Sequence, residues 1–270
     1  MDLALEGVHV LVTGASGGIG LETVRLFVEQ GAIVTAHYNS NSKSLQPLLE
    51  NFGSRIQAIQ ADLRVEEDVI KLFSSAQHTF GSVQIIIINH AIAVVKDDYL
   101  WEMSLDRWRT TIDTNLTSSF LVSREYLKQL KTASSDSKEK AAIIFIGSTA
   151  GKYGEAGHAD YAASKSAMMY GLTMSLKNEI VKIAPKGRVN SIGPGWVRTP
   201  MATESLNNPD VVYSALATTP LKKIAVPYDI ATQIVILSSN KVSGHVTGQV
   251  LMVEGGMEGR LLNKPSDLES

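Results

Sequence analysis

Short apolar runs of four to six residues alternate along the chain with longer stretches whose apolar positions recur every three or four residues. Runs at 9–13, 32–37, 55–60, 83–88, 142–146, 188–192 and 250–253 have the length and branched composition of strands. Helical spacing fills the intervals. Residues 21–30 carry Leu21, Val24, Phe27 and Val28 on one face and stop at Gly31. Further helices are predicted over 42–51, 66–80, 104–115, 116–130, from 160 to about 183, and over 228–238. Residues 131–140, rich in Ser, Lys, Asp and Glu, read as an exposed loop. The run at 83–88 is almost wholly branched and apolar, as expected of a parallel strand covered on both faces. Seven strands joined by crossover helices predict an α/β fold, one doubly wound, seven-stranded parallel sheet with helices on both faces. No repeat and no linker divides the chain, so a single domain is expected over 1–270, with a variable segment at about 196–219 and a flexible tail from about 259.

Composition narrows the function classes. A hydrophobic content of 44% with 19% charged residues is ordinary for a globular protein. A net charge of −2 without a Lys/Arg cluster gives no pull towards nucleic acid. There is no cysteine, which removes disulfides, thiol catalysis and Cys-based metal sites and fits a reducing compartment. The N-terminus lacks a basic region and a long apolar run, and the apolar run at 83–88 ends at Asn89 and His90, far short of the ~20 residues a membrane helix needs. A soluble, cytoplasmic protein is expected, with no metal, nucleic-acid or membrane partner.

The first strand is followed at once by Gly14-Ala15-Ser16-Gly17-Gly18-Ile19-Gly20, and then by a helix. Glycines at such a turn let backbone approach a pyrophosphate, while the helix N-terminus offers free N–H groups and the positive end of its dipole. Elsewhere Gly-rich loops are merely turns; between a buried strand and a helix they point to a nucleotide. Ligands of such sheets sit at the carboxyl ends of the strands. Asp62, Asn89, Ser148 and the pair Pro194-Gly195 all fall there.

Tyr161 and Lys165 stand four residues apart at the start of the long helix, hence on one face, one turn apart. A phenol titrates near ~10, and a nearby ammonium favours its ionised form, so this pair is a candidate acid/base centre. Taken alone, it is also what an ordinary amphipathic helix carries. Ser148 ends the fifth strand thirteen residues earlier, placed to hydrogen-bond a substrate oxygen, or simply to cap a helix or loop. Asn115 reads either as part of the same site or as a helix-end residue.

Together these residues resemble the short-chain dehydrogenase/reductase family over 7 to about 257, most closely its ordinary-length branch of 3-oxoacyl-carrier-protein reductases and related ketoreductases. The glycine spacing is that family's Thr-Gly-x-x-x-Gly-x-Gly. Asn115, Ser148, Tyr161 and Lys165 match its catalytic tetrad, and Glu254-Gly255-Gly256 its acidic-Gly-Gly ending. The resemblance implies a Rossmann fold and hydride transfer between a nicotinamide coenzyme and a carbonyl or alcohol carbon. Tyr161 would be the acid/base, Lys165 would lower its pKa and hold the ribose, Ser148 would polarise the carbonyl, and Asn115 would hold a relay water. It also implies coenzyme contacts from Gly14, Ser16, Gly18, Ile19, Gly20, Tyr38, Asn39, Ser40, Asp62, Leu63, Asn89, Ala91, Tyr161, Lys165, Pro194, Gly195, Val197 and Thr199. One departure stands out. The family has Asn-Asn-Ala-Gly after the fourth strand, whereas this chain has Asn89-His90-Ala91-Ile92. A β-branched residue does not readily take positive φ, so a repositioned loop is expected.

The segment after the second strand, His37-Tyr38-Asn39-Ser40-Asn41-Ser42-Lys43, contains no carboxylate to bind ribose hydroxyls and repel a 2′-phosphate. Its hydroxyls, amides and Lys43 suit a phosphate, so NADP is expected and NAD is the alternative. Against this, Gly17 stands where relatives often carry a basic residue. Val94, Val95, residues 154–158 and the segment 196–219, with Met201, Leu206, Val211, Val212 and Tyr213, are expected to face a small carbonyl or alcohol substrate with an apolar body. His158 reads as an ordinary loop histidine. The resemblance implies a homotetramer or homodimer built on the helices at 116–130 and 159–183, where Met168, Met169, Leu172 and Leu176 form an apolar stripe. A coenzyme-binding regulator of the same fold is the alternative function. An epimerase would need a larger C-terminal region, and an enoyl reductase a longer Tyr-to-Lys spacing.

Overall fold

Strand and helix alternate as the periodicities predict in the structure, a computed structural model that describes residues 2–94, 96–263 and 268. Val95 and residues 264–267, 269 and 270 of the expected tail lie outside the described residues. The chain runs β1 (His9–Val12), α1 (Gly18–Glu29), β2 (Ile33–Tyr38), α2 (Gln46–Phe52), β3 (Ile56–Gln60), α3 (Glu66–Phe80) and β4 (Ile85–Ile88). There follow α4 (Leu105–Ile112), α5 (Ser118–Thr132), α6 (Ser135–Glu139), β5 (Ala142–Ile146), α7 (Thr149–Tyr153), α8 (Ala159–Ser166), α9 (Thr173–Glu179) and β6 (Arg188–Pro194). The remainder is α10 (Thr203–Leu206), α11 (Pro209–Ala217), α12 (Pro227–Ser238), α13 (Asn240–Ser243) and β7 (Val250–Val253).

The seven strands form one sheet in the order β3-β2-β1-β4-β5-β6-β7, every pairing parallel. Because strand side chains alternate between faces, the continuous apolar runs supply both faces at once. Val10, Val12, Ile85, Ile87 and Ile144 pack under α1 and α12 with Val24, Phe27, Ile230 and Ile234. Leu11, Ile86, Ile88, Ile143 and Phe145 pack under α3, α5 and α9 with Leu72, Phe73, Val122 and Leu176. From β1 the chain steps outwards to β2 and β3, then returns to lay β4 on the other side of β1. That reversal opens a crevice at the carboxyl ends of β1 and β4, where no crossover connection covers the sheet.

Three details depart from the pattern. The helices predicted over 104–115 and 116–130 are one helical rod widened at Asp113–Thr117, and the long helix widens likewise at Ala167–Leu172 before tightening at Ile180–Lys182. The two rods touch beside these wide turns, with Ser119 Oγ 3.2 Å from Met168 Sδ and Asn115 Nδ2 3.2 Å from Ser164 Oγ. Second, the expected loop at 131–140 contains α6, which starts where Ser134 Oγ accepts from the Ser137 N–H. Third, the expected interface stripe faces inwards: Met168 and Met169 are wholly buried, Leu176 nearly so, and Leu172 packs on the same core. The helical period places these residues towards the sheet, and Phe120, Tyr170, Met174 and Val181 are the apolar side chains these helices expose.

Phe145 is fully buried on the interior strand β5. Phe145→Ala is expected to lower unfolding free energy by about 3–5 kcal/mol, read as a fall in the denaturant midpoint, because the sheet above cannot collapse into the space left.

Candidate active site

The glycine loop owes its shape to contacts that no side chain would permit. Gly14 takes φ +60°, and a Cβ there would meet the His90 Cα at 2.9 Å; a Cβ on Gly20 would lie 2.3 Å from the Gly14 carbonyl oxygen. Asn89, ending β4, donates from Nδ2 to the carbonyls of Thr13 and Gly14, each at 3.0 Å. His37, near the end of β2, accepts the Gly14 N–H at Nδ1 (3.1 Å) and holds the Ala61 carbonyl through Nε2 (3.0 Å). These bonds require the neutral ring with its proton on Nε2, and burial pushes the His37 pKa down to about 4. Beyond the loop, the first turn of α1 carries no acidic residue and leaves its N–H groups without intrahelical partners. A close-packed glycine cradle under such a helix start fits a dinucleotide pyrophosphate.

His90 and Ile92, the departures from the family pattern, both have partners. His90 bridges Thr13 Oγ1 (2.8 Å) and Ser118 Oγ (2.6 Å). Each of those hydroxyls also reaches a carbonyl, Thr13 that of Ile87 and Ser118 that of Thr114, so His90 joins two already anchored side chains. Burial, with His37 and Lys165 nearby, drives the His90 pKa well down. Ile92 is clasped by Asn115, whose Oδ1 accepts the Ile92 N–H (2.8 Å) and whose Nδ2 donates to the Ile92 carbonyl (3.0 Å). Ile92 is not at positive φ; among the described residues only Ala4 and Lys222 are non-glycine residues there. The loop therefore holds isoleucine without positive φ, and the Asn115 amide fixes it. With its second donor on Ser164, that amide has no hydrogen left for a water.

Ser148, Tyr161 and Lys165 meet on one wall. Ser148 caps α7, its Oγ accepting the Ala150 N–H at 3.1 Å, and it lines the same cavity as Tyr161, near enough to lower the phenol's pKa. Capping and facing the phenol are thus compatible. Burial is the main cause that pushes the Tyr161 pKa up to about 12, opposed by Ser148, aided by the Glu155 carboxylate and opposed again by the Arg260 guanidinium. Burial pushes Lys165 down to about 7, and its Nζ donates to the Ile146 carbonyl at 2.7 Å, 5.6 Å from the Tyr161 ring centre. The expected lowering of the phenol by the lysine is not what governs this state. Lys165 is 2% exposed with a carbonyl as its partner, so desolvation weakens its charge. The start of α8 is clamped from the side: Asp160, 1% exposed, accepts from Thr111 Oγ1 (2.7 Å) and Arg107 Nε (3.2 Å).

One cavity of about 700 Å³ runs from the glycine loop to this wall. Of the residues read from the sequence, Gly14, Ser16, Gly18, Ile19, Asn39, Ser40, Asp62, Leu63, Asn89, Ala91, Ser148, Tyr161, Lys165, Pro194, Gly195, Val197 and Thr199 line it, and so do Ile92, Val94 and Met201. Gly20, Tyr38 and Asn115 do not. Gly20 is buried under the loop, the Tyr38 ring packs on the apolar core, and Asn115 is wholly buried behind Ile92. Lys43 also lies off the cavity lining. The sequence reading missed His37, Arg64, Glu155 as a charged group, and Arg260. Arg64 pairs with Asp62 at 2.6 Å, a contact two residues away that the sequence could have suggested. Arg260 lies past the family-like ending, where no motif pointed to it. Among the described residues, no helix is long and apolar enough to cross a membrane.

The chain is similar to known proteins over most of its length. Residues 14–258 match the family model described as enoyl-(acyl carrier protein) reductase. The chain is 33% identical over 254 residues to the 3-oxoacyl-(acyl-carrier-protein) reductase FabG of Vibrio cholerae, covering 94% of this chain and 98% of that one. It is also 33% identical to 3beta-hydroxysteroid dehydrogenase 1 of Eggerthella lenta, covering 94% of each. A solved structure from Brucella melitensis, described as a short-chain dehydrogenase/reductase of the glucose/ribitol dehydrogenase type, superposes with a TM-score of 0.84 at 31% identity, covering 95% of this chain and 99% of its own.

The His37 bonds make a prediction about acid. The unfolded ring takes up a proton near pH ~6.5, the folded ring only near about 4, so His37 costs stability as pH falls through that window. His37→Gln is expected to reduce the proton uptake on unfolding at pH 5 by about one, measured as a shallower slope of unfolding free energy against pH.

Proposed function

The chain belongs to the short-chain dehydrogenase/reductase family of oxidoreductases, and from that premise we propose that it interconverts a carbonyl compound and its alcohol with NADP(H), using Tyr161 as general acid and base. The observation that carries this reading is that Ser148, Tyr161 and Lys165 converge on one end of the cavity whose other end is the glycine loop. A nicotinamide coenzyme held by that loop would supply the hydride chemistry. The protein's part is position and proton. A phenol near 12 is protonated at neutral pH, hence ready to donate to a developing alkoxide. Ser148, on the same wall as the phenol, places the substrate oxygen beside it. Lys165 is poised near neutrality to take the coenzyme ribose, and Asn115 keeps Ile92 and the floor of the site in place. A Tyr-to-Lys spacing of four residues favours carbonyl over enoyl reduction, despite the wording of the matching family description.

The preference for NADP rests on the charge around the adenosine end. Asn39, Ser40 and Asn41 line it without a carboxylate. Asp62, the acidic residue there, is held by Arg64, which lowers its pKa and neutralises it. Arg64 takes the place in this argument that Lys43 held in the sequence. We further propose a single domain with a substrate lid over 196–219 and a homotetramer or homodimer, resting on the exposed Phe120, Tyr170, Met174 and Val181 of the two long helices. A cytoplasmic setting belongs to the same reading, consistent with a chain without cysteine.

Tyr161→Phe is expected to lower carbonyl turnover by about 10²–10⁴-fold while coenzyme binding, followed by fluorescence, is retained. An unchanged rate would end the proposal and favour a coenzyme-binding regulator. Turnover with NADPH is expected to exceed that with NADH; a strong NADH preference would overturn the coenzyme assignment. Light scattering should find a dimer or tetramer, and a monomer alone would refute the assembly.

A further inference from the structure

The cavity lining carries a charge pair, Glu155 and Arg260, whose part in the carbonyl chemistry as described is limited to its field on the Tyr161 phenol. Glu155, in the turn between α7 and α8, and Arg260, beyond β7, meet across the cavity at 3.2 Å, each side chain about one-fifth exposed. Arg260 is brought there by a strap. After β7 the chain is tied to the end of α11 by Thr218, whose Oγ1 donates to the Gly259 carbonyl (2.8 Å) and whose carbonyl accepts the Glu258 N–H (3.2 Å). It is tied to the end of α7 by the Tyr153 hydroxyl, which donates to the Met257 carbonyl at 2.6 Å.

The guanidinium is only half used. Nη1 faces Glu155, while Nη2 has just a 3.5 Å contact with Thr149 Oγ1, and Nε is buried without a hydrogen-bond partner among the described residues. The Nε–Nη2 edge is the planar fork that accepts a carboxylate through two parallel hydrogen bonds. A buried donor left unpaired costs free energy, which an anion at that edge would recover. Thr149 directly follows Ser148, and the charges of Glu155 and Arg260 both act on the Tyr161 phenol, so the fork lies beside the reacting wall and not at the adenosine end. Resting on the carbonyl-reductase reading, we propose that Arg260 is a specificity-determining residue that binds a substrate carboxylate, which makes an oxo acid, or the corresponding hydroxy acid, the preferred substrate class. Glu155 holds the guanidinium in place through Nη1 and leaves the fork without an anionic partner among the described residues.

The test compares 3-oxobutanoate, 4-oxopentanoate and 5-oxohexanoate, each with its methyl ester, in the wild type, Arg260→Leu and Arg260→Lys. The wild type is expected to prefer at least one acid over its ester by tenfold or more in kcat/KM. Arg260→Leu should abolish that preference through KM, acid and ester being compared within the same variant so that the altered charge beside Tyr161 acts on both alike, and Arg260→Lys, which keeps the charge without the fork, should fall between. A wild type that favours no acid, or a preference that survives in Arg260→Leu, overturns the inference. If the wild type reduces neither acids nor esters, the carbonyl-reductase reading fails by itself. Calorimetric titration of the same acids into the protein with NADP then decides the Arg260 inference: binding lost in Arg260→Leu upholds it, and no binding to the wild type refutes it.

Discussion

Two hydrogen bonds from one amide hold the crevice that everything else uses. Where β1 and β4 part, Asn89 donates to the carbonyls of both Thr13 and Gly14 and so ties the end of one strand to the start of the glycine loop on the other. Around this tie the loop has no slack: His90 presses on Gly14, Gly20 presses on the Gly14 carbonyl, and His37 takes the Gly14 N–H. The exposed helix start of α1 exists because these bonds keep the loop folded back beneath it. In a parallel sheet buried on both faces, the carboxyl ends at the reversal are the place where polar groups can gather without disturbing either core.

Burial then sets the chemistry at the other end of the cavity. Tyr161 and Lys165 lie at their sequence spacing, yet each is governed more by removal from water than by the other. Desolvation raises the phenol and lowers the ammonium, so both neutral forms are favoured as the protein stands. The wide turns at Asp113–Thr117 and Ala167–Leu172 bring the two long helices close enough for Asn115 to reach Ser164. Wide turns of this kind recur at functional sites because they displace carbonyls from the regular ladder. Here Ser118 and Ser119 take up two of those carbonyls, and the Asn115 side chain is left to fasten Ile92.

The strand and helix periods, the glycine loop and the residues Ser148, Tyr161 and Lys165 were readable in the chain because each depends on neighbours close in sequence or on a repeating pattern. Runs such as 142–146 and 66–80 coincide with β5 and α3 for that reason. That residues such as Asn39 and Asp62 line the cavity was legible from their places just after strands. The failures share the opposite cause. Tyr38 turned from the cavity because its face of β2 belongs to the core, and the methionine stripe turned inwards because a helical period cannot say which of two apolar faces meets the sheet.

By itself, then, the amino-acid order determined the fold class, the crevice and the chemical character of the site, since local propensity and hydrophobic period act over a few residues and outweigh their alternatives. Only tertiary structure decided how the departures are accommodated. Asn115 meets Ile92 across twenty-three residues, and His90 meets Ser118 across twenty-eight. Arg260 reaches Glu155 from beyond the last strand. Such contacts follow from where crossovers return the chain, a long-range outcome that no local pattern encodes.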